Sequence, residues 1–253
     1  MPAPKNRLKQ ALAEGRVQTG IWVNLAGTVA VDLLAGARFD WLLLDAEHGP
    51  NTIPTLLAQA QVIGQRCNVL VRPPVGEVWM IKQILDVGVQ TVLVPMVESA
   101  AHAQEMARAM RYPPKGVRGL GASVARAAEY GRIPDYLANA DEEVCLILQV
   151  ESRASLAALP EILTVDGVDG VFIGPSDLAA DMGFRGDTKH PQVLAAIDAA
   201  IRDITASGRS AGILTFDEDM ARRYRDMGVT FLGVGSDVNL LMRAAGGLAE
   251  RTR

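Results

Sequence analysis

Two acids, an arginine and a histidine stand directly after short apolar runs in this chain. Glu151 closes "CLILQVE" (145–151), and Asp177 follows "GVFIGP" (170–175) by two residues. Two carboxylates without a neighbouring cysteine suit a hard divalent cation such as Mg²⁺ or Mn²⁺. The competing reading is a pair of surface acids, or one acid paired with Arg153. Arg72 ends "VLVR" (69–72). A guanidinium there could neutralise an enolate or hold a carboxylate, or it could form a structural ion pair with a nearby acid. His48 comes three residues after Asp45, within reach of a carboxylate that could orient its ring. Histidine is the side chain best suited to proton transfer near neutral pH, although a histidine merely hydrogen-bonded in a loop fits the same spacing. "GPSDLAADMG" (174–183) places Gly174 and Pro175 before Ser176, Asp177 and a short helical turn. Backbone N–H groups at such a turn bind anions, and Ser176 could equally serve as the helix cap. Of the other histidines, His102 falls in a helical run beside Gln104 and Glu105 and reads as solvated. His190 precedes Pro191 and reads as a turn residue.

These residues need elements that bring them together. Eight apolar runs recur: "GIWVN" (20–24), "WLLLDAE" (41–47), "VLVRP" (69–73), "TVLVP" (91–95), "CLILQVE" (145–151), "GVFIGP" (170–175), "AGILT" (211–215) and "TFLGVG" (230–235). They are rich in Val, Ile and Leu and do not alternate cleanly, which predicts parallel strands covered on both faces. Helical spacing of apolar residues marks 52–66, 99–111, 192–207 and 217–227. Gly36, Gly88, Gly208 and Gly228 stand where helices must stop before the next strand. Alternating strands and helices imply a parallel sheet, and eight units in 253 residues favour a closed (β/α)8 TIM barrel over 1–253 as one catalytic domain. The rival is an open doubly wound sheet, but no GxGxxG follows the first strand, and "GVRGLG" (116–121) opens no evident helix. In a barrel the ends of the strands form one mouth. Asp45, Glu47, His48, Arg72, Gln149, Glu151, Ser176, Asp177, Ser236 and Asp237 then converge there, with the milder Asn24, Pro95 and Thr215.

Composition narrows the partners. The formal net charge of −4 argues against nucleic acid, which needs a basic face. Arg222, Arg223 and Arg225 are flanked by Asp217, Glu218, Asp219 and Asp226 and read as one solvated helix face. The two cysteines, Cys67 and Cys145, have no metal-ligand spacing and read as buried thiols in a reducing compartment. The N-terminus reads as an amphipathic helix without the apolar core of a signal peptide, and no run approaches a membrane span. The expected setting is cytoplasmic, with no membrane partner.

"FDWLLLDAEHGPN", "VRPP", "LDVGVQTVLVPMVESA", "RYPPKGVRG", "RIPDYLANA", "LQVESR", "GVDGVFIGPSDLAADMG" and "HPQV" occur in that order. In these blocks the chain resembles the metal-dependent (class II) pyruvate aldolases typified by 4-hydroxy-2-oxoheptane-1,7-dioate aldolase, whose relatives cleave 2-keto-3-deoxy sugar acids. The resemblance implies a (β/α)8 barrel and reversible cleavage of 4-hydroxy-2-oxo acids to pyruvate, or an analogue, and an aldehyde through an enolate. Oxaloacetate decarboxylation is the implied side activity. It implies a divalent cation (Mg²⁺, Mn²⁺ or Co²⁺) held by Glu151 and Asp177, and no organic cofactor. Arg72 and His48 carry the catalytic roles, with Asp45 orienting His48. Substrate contacts fall on Arg72, Gln149, Gly174, Pro175, Ser176 and Leu214. Asp86 corresponds to an acid supplied by a neighbouring subunit, in a homo-hexamer built as a trimer of dimers with an exchanged C-terminal helix. From Ser236 onward, Leu240, Leu241, Ala244, Ala245 and Leu248 form one apolar side that needs a partner. The loops around 119–126 and 214–217 face the aldehyde and leave it undetermined. Three alternatives stand beside this reading. A Schiff-base aldolase needs a lysine at a strand end, and Lys5, Lys9, Lys82, Lys115 and Lys189 supply none. A related barrel lyase would act on acyl-CoA esters, and a non-enzymatic barrel would only bind.

Overall fold

The structure is a computed structural model that describes residues 2–253. A helix, α1 (Arg7–Ala13), precedes the first strand, β1 (Gln18–Val23). Then follow α2 (Thr28–Ala35), β2 (Trp41–Asp45), α3 (Ile53–Ile63), β3 (Asn68–Arg72), α4 (Val78–Asp86), β4 (Thr91–Val94) and α5 (Ala100–Ala109). After a long connection that holds α6 (Tyr136–Asn139) come β5 (Cys145–Val150), α7 (Arg153–Ile162) and β6 (Gly170–Ile173). The second half closes with α8 (Pro175–Asp181), α9 (Pro191–Ala206), β7 (Ser210–Leu214), α10 (Glu218–Asp226), β8 (Phe231–Ser236) and α11 (Asp237–Arg251). The strands pair in sequence order, all parallel, and β8 returns to β1 to close the barrel. All eight expected strands are present, with ends shifted by one or two residues.

Side chains on a strand alternate between its two faces. Leu43, Leu70, Ile147 and Phe172 face inward and pack with Trp22, Trp41, Leu93, Cys145 and Phe231 inside the barrel. Their alternates, such as Leu42, Val71, Leu148 and Val171, join the larger layer under the helices. The interior is crowded by aromatics: Trp41 stacks on Phe231 at 4.4 Å, and Trp22 meets Trp41 edge-on at 5.4 Å. Gly20 and Gly233 make this possible, because a Cβ on either would collide with the Trp41 or Trp22 ring. Leu8 and Leu12 of α1 close the opposite end of the barrel.

The same alternation delivers the polar residues. Two positions beyond the inward Trp22, Leu43, Leu70, Ile147 and Phe172 lie Asn24, Asp45, Arg72, Gln149 and Gly174. The inward face that is apolar within the barrel thus turns polar at its mouth. β2 and β3 set Leu43 opposite Leu70 and Asp45 opposite Arg72. Of the helix-stop glycines, Gly88, Gly208 and Gly228 have positive φ, whereas Gly36 ends α2 at φ −86°. The chain needs no left-handed residue at Gly36 because the turn is made at Arg38 (φ 64°).

The last helix is unlike the others. Leu240, Leu241, Met242 and Leu248 of α11 are exposed, and Asp237 alone is buried. The expected apolar side therefore finds no cover on its own barrel. No helix among the described residues is long and apolar enough to cross a membrane.

Candidate active site

Asp45 is wholly buried at the end of β2, and Arg72 is nearly so at the end of β3. Arg72 donates Nε to Asp45 Oδ1 at 2.9 Å and Nη2 to Oδ2 at 2.7 Å. This bidentate pair fixes the plane of the guanidinium. Its remaining nitrogen, Nη1, lies 2.8 Å from Glu47 Oε2. That approach is an ion pair without hydrogen-bond alignment, so Glu47 Oε2 is buried with no hydrogen-bond partner among the described residues. Burial draws the Arg72 pKa down, but the bonds and charge of Asp45, with Glu47 and Glu151, outweigh it and raise the pKa. The guanidinium stays charged.

Glu151 follows β5 and is buried. Two donors hold it: the Met96 N–H reaches Oε1 at 2.8 Å, and Gln149 Nε2 donates to Oε2. Met96 presents that N–H from a left-handed backbone (φ 54°), which non-glycine residues seldom adopt. Burial raises the Glu151 pKa above the usual carboxylate range. The two donors oppose the rise, and the charges of Asp177 and Glu47 add to it. Burial likewise raises Glu47 against Arg72 and His48, with Asp45 and Asp177 adding to the rise. Four acids, Asp45, Glu47, Glu151 and Asp177, thus bear on one another electrostatically at this mouth. Asp177, in the first turn of α8, is exposed at the rim. The two expected ligands therefore differ in depth, since the strand carries Glu151 inward while the helix turn lifts Asp177 outward.

These residues fit a hard cation. Gln149 Oε1 is buried without a hydrogen-bond partner among the described residues, a loss that a cation or a bound donor would offset. A Cβ on Gly174 would sit 2.5 Å from Glu151 Oε2, so glycine keeps that space open. The donor set is oxygen only, as Mg²⁺ and Mn²⁺ prefer. Among the described residues no group of three or more His, Cys, Asp and Glu gathers at one point. A cation here would keep most of its positions for water and substrate.

The expected support of His48 by Asp45 takes another form. Asp45 accepts the backbone N–H of Glu47 at 3.1 Å and of His48 at 3.5 Å, and its remaining capacity is taken by Arg72 and Asn24. No hydrogen bond joins Asp45 to the imidazole, whose side chain is 66% exposed. The acid nearest the ring is Glu47, 3.9 Å from Nε2. Strand register explains the change: Asp45 ends β2 directly opposite Arg72, while His48 lies past the turn.

Gly174 is the N-cap of α8 and Pro175 opens it, with no side-chain cap bond. Ser176 therefore does not cap the helix, and the residue is exposed. Leu214 ends β7, half-buried against the barrel interior. Asp86 ends α4, at the far end of its own barrel from the mouth, and pairs with buried Arg118 at 2.8 Å. His102 is half-buried against Gly76 rather than solvated. His190 caps α9 through Nδ1 and stacks on Phe184 at 3.6 Å. A cavity of about 830 Å³ opens at the barrel's other end, between Arg7, Asn68, Thr91 and Arg126, and holds none of the mouth acids.

The sequence places Glu47 and Asn24 at strand ends without giving either a role, and it gives no sign of Met96. Glu47 stands inside "DAEH", and its proximity to Arg72 needed only the strand pairing. Asn24 ends its strand two places after an inward tryptophan, and that alternation was the available signal. The Met96 role has no sequence signal, since nothing marks a methionine for left-handed backbone.

The chain is similar to known proteins over nearly its whole length. The family described as HpcH/HpaI aldolase/citrate lyase matches residues 18–244. A protein of Roseovarius nubinhibens named hydroxypyruvate/pyruvate aldolase is 53% identical over 246 residues, 97% of this chain and 96% of that one. A 4-hydroxy-2-oxo-heptane-1,7-dioate aldolase of Escherichia coli is 51% identical over 248 residues, 98% of this chain and 95% of that one. A crystal structure of a family protein from Burkholderia cenocepacia has a TM-score of 0.95 at 35% identity, covering 98% of this chain and 100% of its own.

Proposed function

The chain belongs to the HpcH/HpaI aldolase/citrate lyase family, and on that premise we propose that it is a divalent-metal-dependent aldolase. It cleaves 4-hydroxy-2-oxo acids reversibly to pyruvate, or a pyruvate analogue such as hydroxypyruvate, and an aldehyde. One observation carries the mechanism. A fixed, charged guanidinium and a buried carboxylate with an unpartnered amide oxygen beside it share one barrel mouth.

Glu151 and Asp177 would hold a Mg²⁺, Mn²⁺ or Co²⁺ ion, with the Gln149 amide oxygen facing the same space. Such an ion supplies Lewis-acid polarisation of a 2-oxo acid. The protein's own residues do the rest. The first-turn N–H groups of α8, at Ser176 and Asp177, receive the substrate carboxylate. Arg72 stabilises the oxygen that gains charge as the C3–C4 bond breaks, and Asp45 keeps it aimed. His48 takes the proton from the C4 hydroxyl in cleavage and returns it in synthesis. Glu47 Oε2 lies 3.9 Å from His48 Nε2 and sets a carboxylate beside the ring. Leu214 gives the acceptor an apolar wall.

The exposed apolar side of α11 and the remoteness of Asp86 from its own mouth support assembly into a homo-oligomer. In it α11 covers a neighbour and Asp86 reaches a neighbour's site; a hexamer is the expected form. The activity is tested by incubating the protein with Mn²⁺, pyruvate or hydroxypyruvate, and a panel of aldehydes. New 4-hydroxy-2-oxo acids are expected, and borohydride with pyruvate should trap no protein adduct. A lysine adduct, or no product with any aldehyde, would contradict the reading.

A further inference from the structure

Asp237 is buried at the start of α11 although it pairs with no cation among the described residues and takes no part in the chemistry above. Its carboxylate spans the end of β1. Oδ1 accepts the Asn24 N–H at 2.9 Å, and Oδ2 accepts the Leu25 N–H at 3.0 Å. The Asn24 side chain continues the line, donating Nδ2 to Asp45 Oδ2 at 2.7 Å. That same oxygen accepts Arg72 Nη2 at 2.7 Å. Residues from the β8–α11 junction, β1, β2 and β3 are thus joined in one run of hydrogen bonds that ends on the guanidinium.

We propose that Asn24 and Asp237 are positioning residues that fix Arg72 through Asp45. Arginine has several rotatable bonds, and a group that must meet developing charge has to be held to within about half an ångström. Asp45 can do this only if its own carboxylate plane is fixed. Its Oδ1 is steered by the turn N–H groups of Glu47 and His48, and its Oδ2 by Asn24. Asn24 follows the last residue of β1, so its backbone needs a separate anchor, and Asp237 provides it with two bonds. The anchor is also the first residue of α11, so the helix that leaves the barrel starts from a residue tied to the catalytic arginine. The proposal rests on the reading that Arg72 stabilises charge on the substrate.

A double-mutant cycle tests it, since residues that act through one another are not additive. Asn24→Ala and Asp237→Asn would each be made alone and combined with Arg72→Lys. Turnover of a 4-hydroxy-2-oxo acid and Mn²⁺ affinity would be measured for every variant. Each single change should lower kcat about tenfold, the scale of losing an outer support of a site group, with Mn²⁺ affinity within roughly twofold. In the Arg72→Lys background the same changes should cost less than roughly twofold, because the fork they steer is gone. An equal loss in both backgrounds, or unchanged turnover in the single variants, would overturn the proposal. Parallel loss of turnover and Mn²⁺ affinity would also overturn it, by showing general damage. Asn24 is only half-buried and outside the helix, so Asn24→Ala carries the test if Asp237→Asn fails to fold. Full turnover by Arg72→Lys alone would remove the reading of Arg72 itself, and the proposal with it.

Discussion

Asp45 and Arg72 are register partners at the ends of adjacent parallel strands, and their side chains meet through two hydrogen bonds of 2.9 and 2.7 Å. The pair is buried, so each partner depends on the other. Asp45→Ala should leave an uncompensated guanidinium and destabilise the fold by about 3–5 kcal/mol, the scale for breaking a buried ion pair. Chemical denaturation of the metal-free protein measures this. Unchanged stability would mean that Glu47 alone can hold the arginine.

Arg72→Lys keeps the charge but loses the planar fork that Asp45 grips. Turnover should fall far more than substrate affinity, because the stabilised charge develops in the transition state. Steady-state kinetics on cleavage separates the two. Near-normal kcat would reduce Arg72 to a structural ion-pair partner.

Gly174→Ala places a methyl group 2.5 Å from Glu151 Oε2, where one atom must move. Mn²⁺ affinity should fall about tenfold or more while the barrel still forms, as isothermal titration and circular dichroism would report. Undiminished affinity would show that this oxygen takes no part in cation binding.

How much of this was legible in the sequence depended on the kind of signal. Eight apolar runs alternating with helical stretches predicted the barrel because parallel strands buried on both faces leave that pattern. The chemistry-bearing strand ends, Arg72, Gln149 and Glu151, were legible because polar residues directly continue apolar strands. Partners were harder to read. Proximity in sequence put Asp45 with His48, but strand pairing put it with Arg72, since residues 27 positions apart are neighbours across the sheet. Met96 stayed invisible because its contribution is a backbone N–H.

His48 should act on the proton of the C4 oxygen. His48→Ala is then expected to lose aldol cleavage by about 10²-fold or more. Oxaloacetate decarboxylation, which has no C4 hydroxyl to deprotonate, should fall much less. Both rates would be taken on one preparation at saturating Mn²⁺. Equal losses would place His48 earlier, as the base for the methyl proton or as a support for the site.

Removing residues 239–253 deletes Leu240, Leu241, Met242 and Leu248, whose exposed side needs cover. Light scattering should then show smaller and less stable species. Unchanged mass and activity would argue against α11 covering a neighbour.

Carbon–carbon cleavage is proposed to require a cation held by Glu151 and Asp177. The most direct test of this requirement is a Mn²⁺ titration of the chelator-treated protein, following pyruvate release from a 4-hydroxy-2-oxo acid, beside the same titration of Glu151→Gln. No release is expected without metal, with saturable recovery in the unsubstituted protein and little recovery in Glu151→Gln at the same concentrations. Full pyruvate release in the presence of chelator, or an identical titration by Glu151→Gln, would contradict it.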